Sequence, residues 1–349
     1  MIARHYAALP AGVIAQTCLL RIECDCMVAG DAGLCSRPEQ YAMSKICRMN
    51  RPRVSLITVC MNAAATIDSC LFSIARQSYR DFEHVVVDGA STDGTLAILE
   101  KHRSEIGTLI SEPDRGLYDA MNKGIAAANG EFVLFMNADD TFASRHSLRD
   151  AILAIDKLPD GDVYYGSIEV RSDLGQGFGP VIHTPASPDA AAEEMVTGCL
   201  PHQATLARRA VFDRTGPFDL RWRRHADYDW WLKVMADPTL RLRRIDTVVA
   251  SFALGGASSE LAKGQPEVFA IQNASMLYRS AEWDRRRIEL LQKAWLEARI
   301  EAAALREAAA ASGLAPPPLP WKARLAAILP RPVLRAVQGA KRRLSRIRS

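Results

Sequence analysis

From Val54 onward, strand-like runs alternate with helix-like stripes, and polar residues close each strand-like run. Val-Ser-Leu-Ile-Thr-Val, starting at Val54, is short, apolar and rich in β-branched residues, the pattern of a buried strand. After the polar turn Asn62–Thr66, Ile67, Cys70, Leu71 and Ile74 recur at i, i+3, i+4 and i+7, which predicts an amphipathic helix. Phe82–Asp88 reads as a second strand, Gly89–Gly94 as a tight turn and Thr95–Arg103 as a second helix. A third strand is expected at Thr108–Ser111, and a helix at Tyr118–Asn129 with Gly130 as a left-handed cap. A fourth strand at Glu131–Met136 leads into Asn137-Ala-Asp-Asp140. Alternation of this kind predicts an α/β fold whose sheet is mostly parallel, with helices on its faces.

In such sheets ligands bind beyond the carboxyl ends of the strands. Asp88, Ser91 and Asp93 follow the second strand, and Asp139 and Asp140 follow the fourth, so both groups are expected at one crevice. The first strand runs into Met61-Asn-Ala-Ala-Ala, without the G-x-G-x-x-G of a dinucleotide site, and no Walker A loop is present. Two carboxylates at the end of an apolar strand need a counter-charge if they are buried, and a hard divalent cation bridging to phosphate supplies one. Taken alone, Asp-Asp is a weak signal and a turn or helix cap is the better reading.

Four segments in order change that balance: Val-Ser-Leu-Ile-Thr-Val-Cys-Met-Asn62, Val-Val-Asp88-Gly-Ala-Ser-Thr-Asp-Gly-Thr95, Asp114-Arg-Gly-Leu-Tyr-Asp-Ala-Met-Asn-Lys-Gly124, and Met-Asn-Ala-Asp-Asp140. With Ala226-Asp-Tyr-Asp-Trp-Trp-Leu-Lys233 as a fifth, the stretch from Val54 to about Ala257 resembles the family 2 inverting glycosyltransferases of GT-A fold. The Pro201-His-Gln-Ala-Thr205 element and the Tyr-Asp-Ala-Met-Asn-Lys-Gly run are similar to the subgroup that builds bacterial exopolysaccharide and lipopolysaccharide units, the colanic-acid type.

The resemblance implies a nucleotide-diphosphate-sugar donor, a saccharide or lipid-linked saccharide acceptor, and Mg²⁺ or Mn²⁺. It places Asp88 against the base and ribose, with Ser91 and Asp93 nearby, although helix capping accounts for the latter two as well. Many relatives carry a second acid where this chain has Gly89. Asp119, Asn122 and Lys123, beside Tyr118, are expected to face the donor; Lys123 as a solvated helical lysine is the alternative. The family's Asp-x-Asp metal site maps onto Asn137, Asp139 and Asp140, which gives the metal to Asp140 and the ribose or outer contacts to Asp139. Asp227, in a motif that usually reads Glu-Asp and here reads Ala-Asp, takes the role of catalytic base. Asp229, rotated by about 200° on a helix, cannot share its face. His202 and His225 are candidates for acceptor, donor or phosphate contacts, with structural roles as the alternative, and the Trp230–Met235 stripe reads as core. The competing reading is a non-catalytic nucleotide-sugar-binding scaffold at the membrane surface, for which the Asn137 and Ala226 departures leave room.

Charge separates the ends of the chain from this body. Lys and Arg total 44 against 40 Asp and Glu among 349 residues. Nine of the basic residues and none of the acidic ones lie in 321–349, so the remainder is acidic and not an evident nucleic-acid binder. Domain boundaries are expected at 1–50 (a poorly ordered extension, or a misassigned start with Met43 or Met49 as the true one), 51–265 (catalytic), 266–312 (helical hairpin), 313–320 (Pro-rich linker) and 321–349. The five cysteines before residue 50 match no zinc spacing; Cys60 and Cys70 read as small core residues. Trp and Leu among the arginines of 321–349 suit an anionic bilayer surface, while a disordered tail or a docked helix are the alternatives. No run reaches the roughly 20 apolar residues of a membrane span, and Pro10 and Gln16 interrupt the one signal-like stretch. The expected location is cytoplasmic and peripheral at the inner face of the cell membrane.

Overall fold

The computed structural model describes residues 51–171, 178–253 and 261–311. The expectations for 1–50, 313–320 and 321–349 lie outside them. The first half follows the alternation read from the sequence: β1 (Val54–Cys60), α1 (Ile67–Ala75), β2 (Phe82–Asp88), α2 (Thr95–Lys101), β3 (Thr108–Ser111), α3 (Leu117–Ala127) and β4 (Phe132–Phe135). β1 is buried along its whole length, as a central strand covered on both faces must be. Its two inward polar residues are matched: Ser55 Oγ donates to Glu83 at 2.6 Å, and Thr58 Oγ1 lies 3.0 Å from His84 Nε2. Ile67, Cys70, Leu71 and Ile74 are the buried face of α1, as their spacing predicts.

The second half mixes directions: β5 (Thr141–Phe142), α4 (Ser147–Asp156), β6 (Val163–Arg171), β7 (Phe178–Ile182), α5 (Pro188–Thr197), β8 (Thr205–Arg208), α6 (Arg209–Thr215), α7 (Ala226–Ala236), β9 (Leu242–Ala253), α8 (Leu261–Ala274) and α9 (Ala281–Ala311). The strands form one nine-stranded sheet in the order β3-β2-β1-β4-β8-β6-β9-β5, with β7 on β6. β3, β2, β1 and β4 run parallel, whereas β8 pairs antiparallel with both β4 and β6. The strand order reverses between β1 and β4, and this switch point leaves a crevice at their carboxyl ends. Trp230 and Trp231 of α7 are core, 4% and 0% exposed, with Trp230 stacked on Phe212.

One expected device is replaced by another. α3 ends at Ala128 in an extended conformation, and Gly130 is not among the residues of positive φ. A Cβ on Gly130 would stand 2.5 Å from the backbone nitrogen of Ser55, so glycine is required by the close approach of the incoming β4 to β1.

Candidate active site

The crevice at the switch point is a cleft of about 570 Å³. Its walls come from the loop after β1 (Asn62), the loop before α3 (Asp114), the segment after β4 (Asn137–Asp140), the turn His202–Ala204 and the start of α7. Asp227 is the best-defined group in it. It sits in the first turn of α7, 9% exposed, where the helix N-terminus favours negative charge. Tyr118 Oη donates to its Oδ1 at 2.6 Å, and His202 Nδ1 donates to its Oδ2 at 2.9 Å. Burial opposes its ionisation, but the hydrogen bond and charge of His202, then Tyr118, outweigh it and hold the carboxyl down at about 2. The same pairing overcomes burial at His202 and raises the imidazole above its ordinary value. Each oxygen of Asp227 keeps a lone pair that these two donors do not use.

His202 Nε2 lies 3.0 Å from Asn137 Nδ2, and Asn137 Oδ1 is buried without a partner. An imidazolium carries a proton on Nε2, which meets an acceptor only if the Asn137 amide is reversed; reversal also gives Oδ1 its partner. Asn137 is therefore a consistent neighbour for a protonated His202, and a carboxylate is not needed there.

The two acids after β4 have opposite surroundings. Asp140 is 1% exposed; its Oδ2 accepts from Gln203 Nε2 at 3.0 Å and its Oδ1 from the Ala253 N–H at 3.1 Å. Burial, then the charge of Asp139, push it up to about 7. Asp139 is half-buried at the cleft, and among the described residues none donates to its carboxylate. The sequence expectation gives the metal to Asp140 and outer contacts to Asp139; in the structure Asp140 is the enclosed carboxylate and Asp139 the more open one at the cleft. Neighbouring residues of one turn serve both acids, His202 on Asp227 and Gln203 on Asp140.

Most of the expected donor contacts turn out to be engaged elsewhere. Asp88 is fully buried and takes the Ser91 N–H, the Ser91 hydroxyl and, at 2.8 Å, the Ser111 hydroxyl. Ser91 Oγ accepts from the Asn62 N–H at 2.8 Å, and Asp93 accepts from the N–H groups of Ala64 and Thr95 at 3.0 Å. These three residues lash the loop after β2 to the loop after β1. Asp119 pairs with Arg115 at 2.9 Å. Asn122 bonds both the N–H and the C=O of Phe218, and Lys123 reaches Glu112 and the Pro113 carbonyl at 2.8 Å. None of the six lines the cleft; each finds its partner within its own loop, helix or adjoining segment. His225 does line it, as the residue before α7, with its backbone N–H donating to Glu267 at 2.8 Å. Asp229 pairs with Lys233 on α7, away from Asp227.

Asp114 was not singled out by sequence reasoning. A Cβ on Gly89 would meet its Oδ2 at 2.4 Å, so the Asp114 carboxylate fills the space that the missing side chain leaves. The signal was the small residue itself, which invites a neighbour to close in. Asn62, at φ 50, presents its backbone at the same wall.

Among the described residues no group of three His, Cys, Asp or Glu side chains is placed to hold a metal ion. Of the cleft carboxylates Asp114, Asp139, Asp140 and Asp227, Asp139 is half-buried with no described donor to it, and a cation there would draw its remaining ligands from phosphate oxygens and water. That donor set suits Mg²⁺ or Mn²⁺ better than a cation needing a protein cage.

Residues 55–216 match the family model described as Glycosyl transferase family 2. A "PGL/p-HBAD biosynthesis glycosyltransferase" of Mycobacterium bovis is 35% identical over 217 residues, 61% of this chain and 82% of that protein. Among solved structures, Staphylococcus aureus TarS in complex with UDP-GlcNAc is similar at a TM-score of 0.53, with 21% identity over 68% of this chain and 71% of that one. The mannosyltransferase PcManGT from Pyrobaculum calidifontis, in complex with GDP-Man and Mn²⁺, is similar at 0.51, with 21% identity over 91% of this chain and 94% of that one. Both establish a shared GT-A fold.

Proposed function

Since the chain belongs to glycosyl transferase family 2, we propose that it moves a hexosyl or N-acetylhexosaminyl group from a nucleoside diphosphate to a hydroxyl acceptor, with inversion at the anomeric carbon. The observation that carries this reading is the buried, ionised Asp227, held by Tyr118 and His202 at the cleft that also contains the open carboxylate of Asp139. Nucleotide-sugar complexes of the fold's neighbours, TarS with UDP-GlcNAc and PcManGT with GDP-Man, support the donor class.

Each residue has a task in a single displacement. Asn62 and Asp114 border the side of the cleft nearest the β1–β2 loops and receive the nucleoside. Asp139 would hold a divalent cation, which when bound neutralises charge on the departing diphosphate. Asp227 takes the proton of the attacking hydroxyl. Tyr118 and His202 fix the direction of its carboxylate, and His202 compensates its charge while the site is empty. Asn137 orients His202. Exposed Arg223 and half-buried His225 border the α7 side of the cleft and are placed for the acceptor. A lipid-linked saccharide of a bacterial surface glycoconjugate is the acceptor class we favour, with 321–349 contributing to membrane attachment at the inner face of the cell membrane.

Asp227→Asn preserves the shape of the site and removes the base. Transfer should fall by about 10²- to 10⁴-fold, with donor affinity unchanged by calorimetry. Turnover near the wild-type rate would end the assignment of Asp227. Loss of donor affinity in step with turnover would instead mark it as a binding residue.

A further inference from the structure

α8 packs on α7 through a stripe that is only partly apolar. Gly264, Glu267, Val268, Ile271 and Gln272 recur at i, i+3, i+4, i+7 and i+8 and share one face of the helix. Ile271 and Gln272 are fully buried. Gln272 Nε2 donates to Tyr228 Oη of α7 at 2.8 Å and to the Val196 carbonyl of α5 at 3.1 Å, and Arg287 of α9 donates to its Oε1 at 3.1 Å. This end of α8 is therefore fixed against three other helices.

The other end of the stripe meets the entrance of α7. Glu267 is largely buried, and its Oε1 accepts the backbone N–H groups of Arg224 and His225 at 2.9 and 2.8 Å. α7 has no cap of its own. The His225 side chain makes no capping bond, and Tyr228 stands at the third helical position, where a capping box carries Glu or Gln reaching back to the N-cap N–H. Glu267 supplies that acceptor from another helix. Residue 224 is held from its other side too: Tyr118 Oη lies 2.8 Å from the Arg224 carbonyl oxygen and 2.6 Å from Asp227 Oδ1. Gly264 completes the fit. A Cβ there would stand 2.6 Å from His225 Cε1, which accounts for glycine inside a helix, where it is otherwise unfavourable.

We propose that Glu267 is a positioning residue: by holding the backbone of residues 224 and 225 from α8, it sets the direction in which Asp227 presents its carboxylate to the acceptor side of the cleft. The inference rests on the reading of Asp227 as the base. Glu267 itself does not line the cleft, whereas Gly264, Gln265 and Val268 beside it do. It also lies outside residues 55–216, so the family match does not cover it. The length of the side chain matters more than its charge, because two N–H groups converge on one oxygen, and His225 Nδ1, at 3.9 Å, is beyond hydrogen-bond reach of it. A displacement of about 1 Å at a reacting group can cost about 10²-fold in rate.

Two variants of the full chain separate reach from charge. Glu267→Asp keeps the charge and draws the carboxylate back by one carbon–carbon bond, about 1.5 Å. Glu267→Gln keeps the reach and a carbonyl oxygen and removes the charge. Release of nucleoside diphosphate from UDP- and GDP-sugars is followed with Mn²⁺ and with water as the acceptor: water attacks the anomeric carbon, its proton passes to Asp227, and the bond to the diphosphate oxygen breaks. Glu267→Asp should lower kcat roughly tenfold or more with donor KM unchanged, and Glu267→Gln, the conservative replacement, should recover most of that loss. In an Asp227→Asn background Glu267→Asp should cost nothing further, since it acts through the carboxylate already removed. A loss in Glu267→Gln as large as in Glu267→Asp, no loss in either, or the same loss in the Asp227→Asn background overturns the proposal while leaving Asp227 as the base. Wild-type turnover by Asp227→Asn overturns the reading of the base, and this inference with it.

Discussion

Asp227 and His202 hold each other in their charged forms, and the consequence for stability has two edges. His202 is raised above 6.5, so the folded state binds its proton more tightly than the unfolded chain does. That contribution is complete below 6.5 and is lost as pH climbs through the folded value. Asp227 is lowered from 3.8 to about 2, so its contribution is complete above 3.8 and is lost as pH falls toward 2. His202→Asn should therefore cost most between these limits, on the order of 3 kcal/mol, because it strands a buried carboxylate. Denaturant titrations from pH 3 to pH 9 measure it: the gap between wild type and variant should narrow at both ends. A gap independent of pH would mean that the pair is not ionised. Asp140 lies at the opposite extreme. Burial and the neighbouring charge of Asp139 raise it, and Gln203 and a backbone N–H close over its two oxygens.

At the level of elements, periodicity and composition located β1 to β4 and α1 to α3 because each buries one continuous face. Ile67, Cys70, Leu71 and Ile74 show this directly. What hydrophobic pattern does not encode is which polar side chain will find a local partner. Asp88, Asn122 and Lys123 occupy motif positions, yet Ser91 and Ser111, the Phe218 backbone, and Glu112 absorb them. These contacts tie together the segments beside the cleft. Asp114 escaped notice for the converse reason: it is identified by the absence of a side chain at Gly89, 25 residues earlier, and not by any pattern of its own. Gly130 belongs here too. Gly130→Ala forces β4 away from Ser55 and should destabilise the protein by about 1–3 kcal/mol, read as a lowered thermal midpoint. A helix-cap role would instead make the substitution costly through positive φ, which Gly130 does not have.

Across the whole molecule, the sheet brings together groups that are distant in sequence. Asn62, Asp114, Asp139, His202 and Asp227 border one cleft because the strand order reverses between β1 and β4 and because β8 returns antiparallel to place the His202 turn opposite α7. The parallel half of the sheet was legible from alternation alone. The antiparallel half was not, since β5, β7 and β8 are each five residues or fewer and carry no distinctive period. The place of Asp227 in the cleft was legible through the Ala226-Asp227 motif, but which of Asp139 and Asp140 is the more enclosed was not. Adjacent aspartates look alike until Gln203 and the Ala253 N–H close over one of them.

The choice between Asp139 and Asp140 for the cation is also the most direct test of the site. Calorimetric titration of UDP- and GDP-sugars, with Mn²⁺ and with chelator, can be run on wild type, Asp139→Asn, Asp140→Asn and Asp227→Asn without knowing the acceptor. If Asp139 presents the cation to the donor and Asp227 acts only on the acceptor, Mn²⁺-dependent affinity should drop roughly tenfold or more in Asp139→Asn, as for loss of a direct ligand, and persist in the other two. Affinity that survives in Asp139→Asn and disappears in Asp140→Asn would return the metal to Asp140 and contradict the geometry of the cleft.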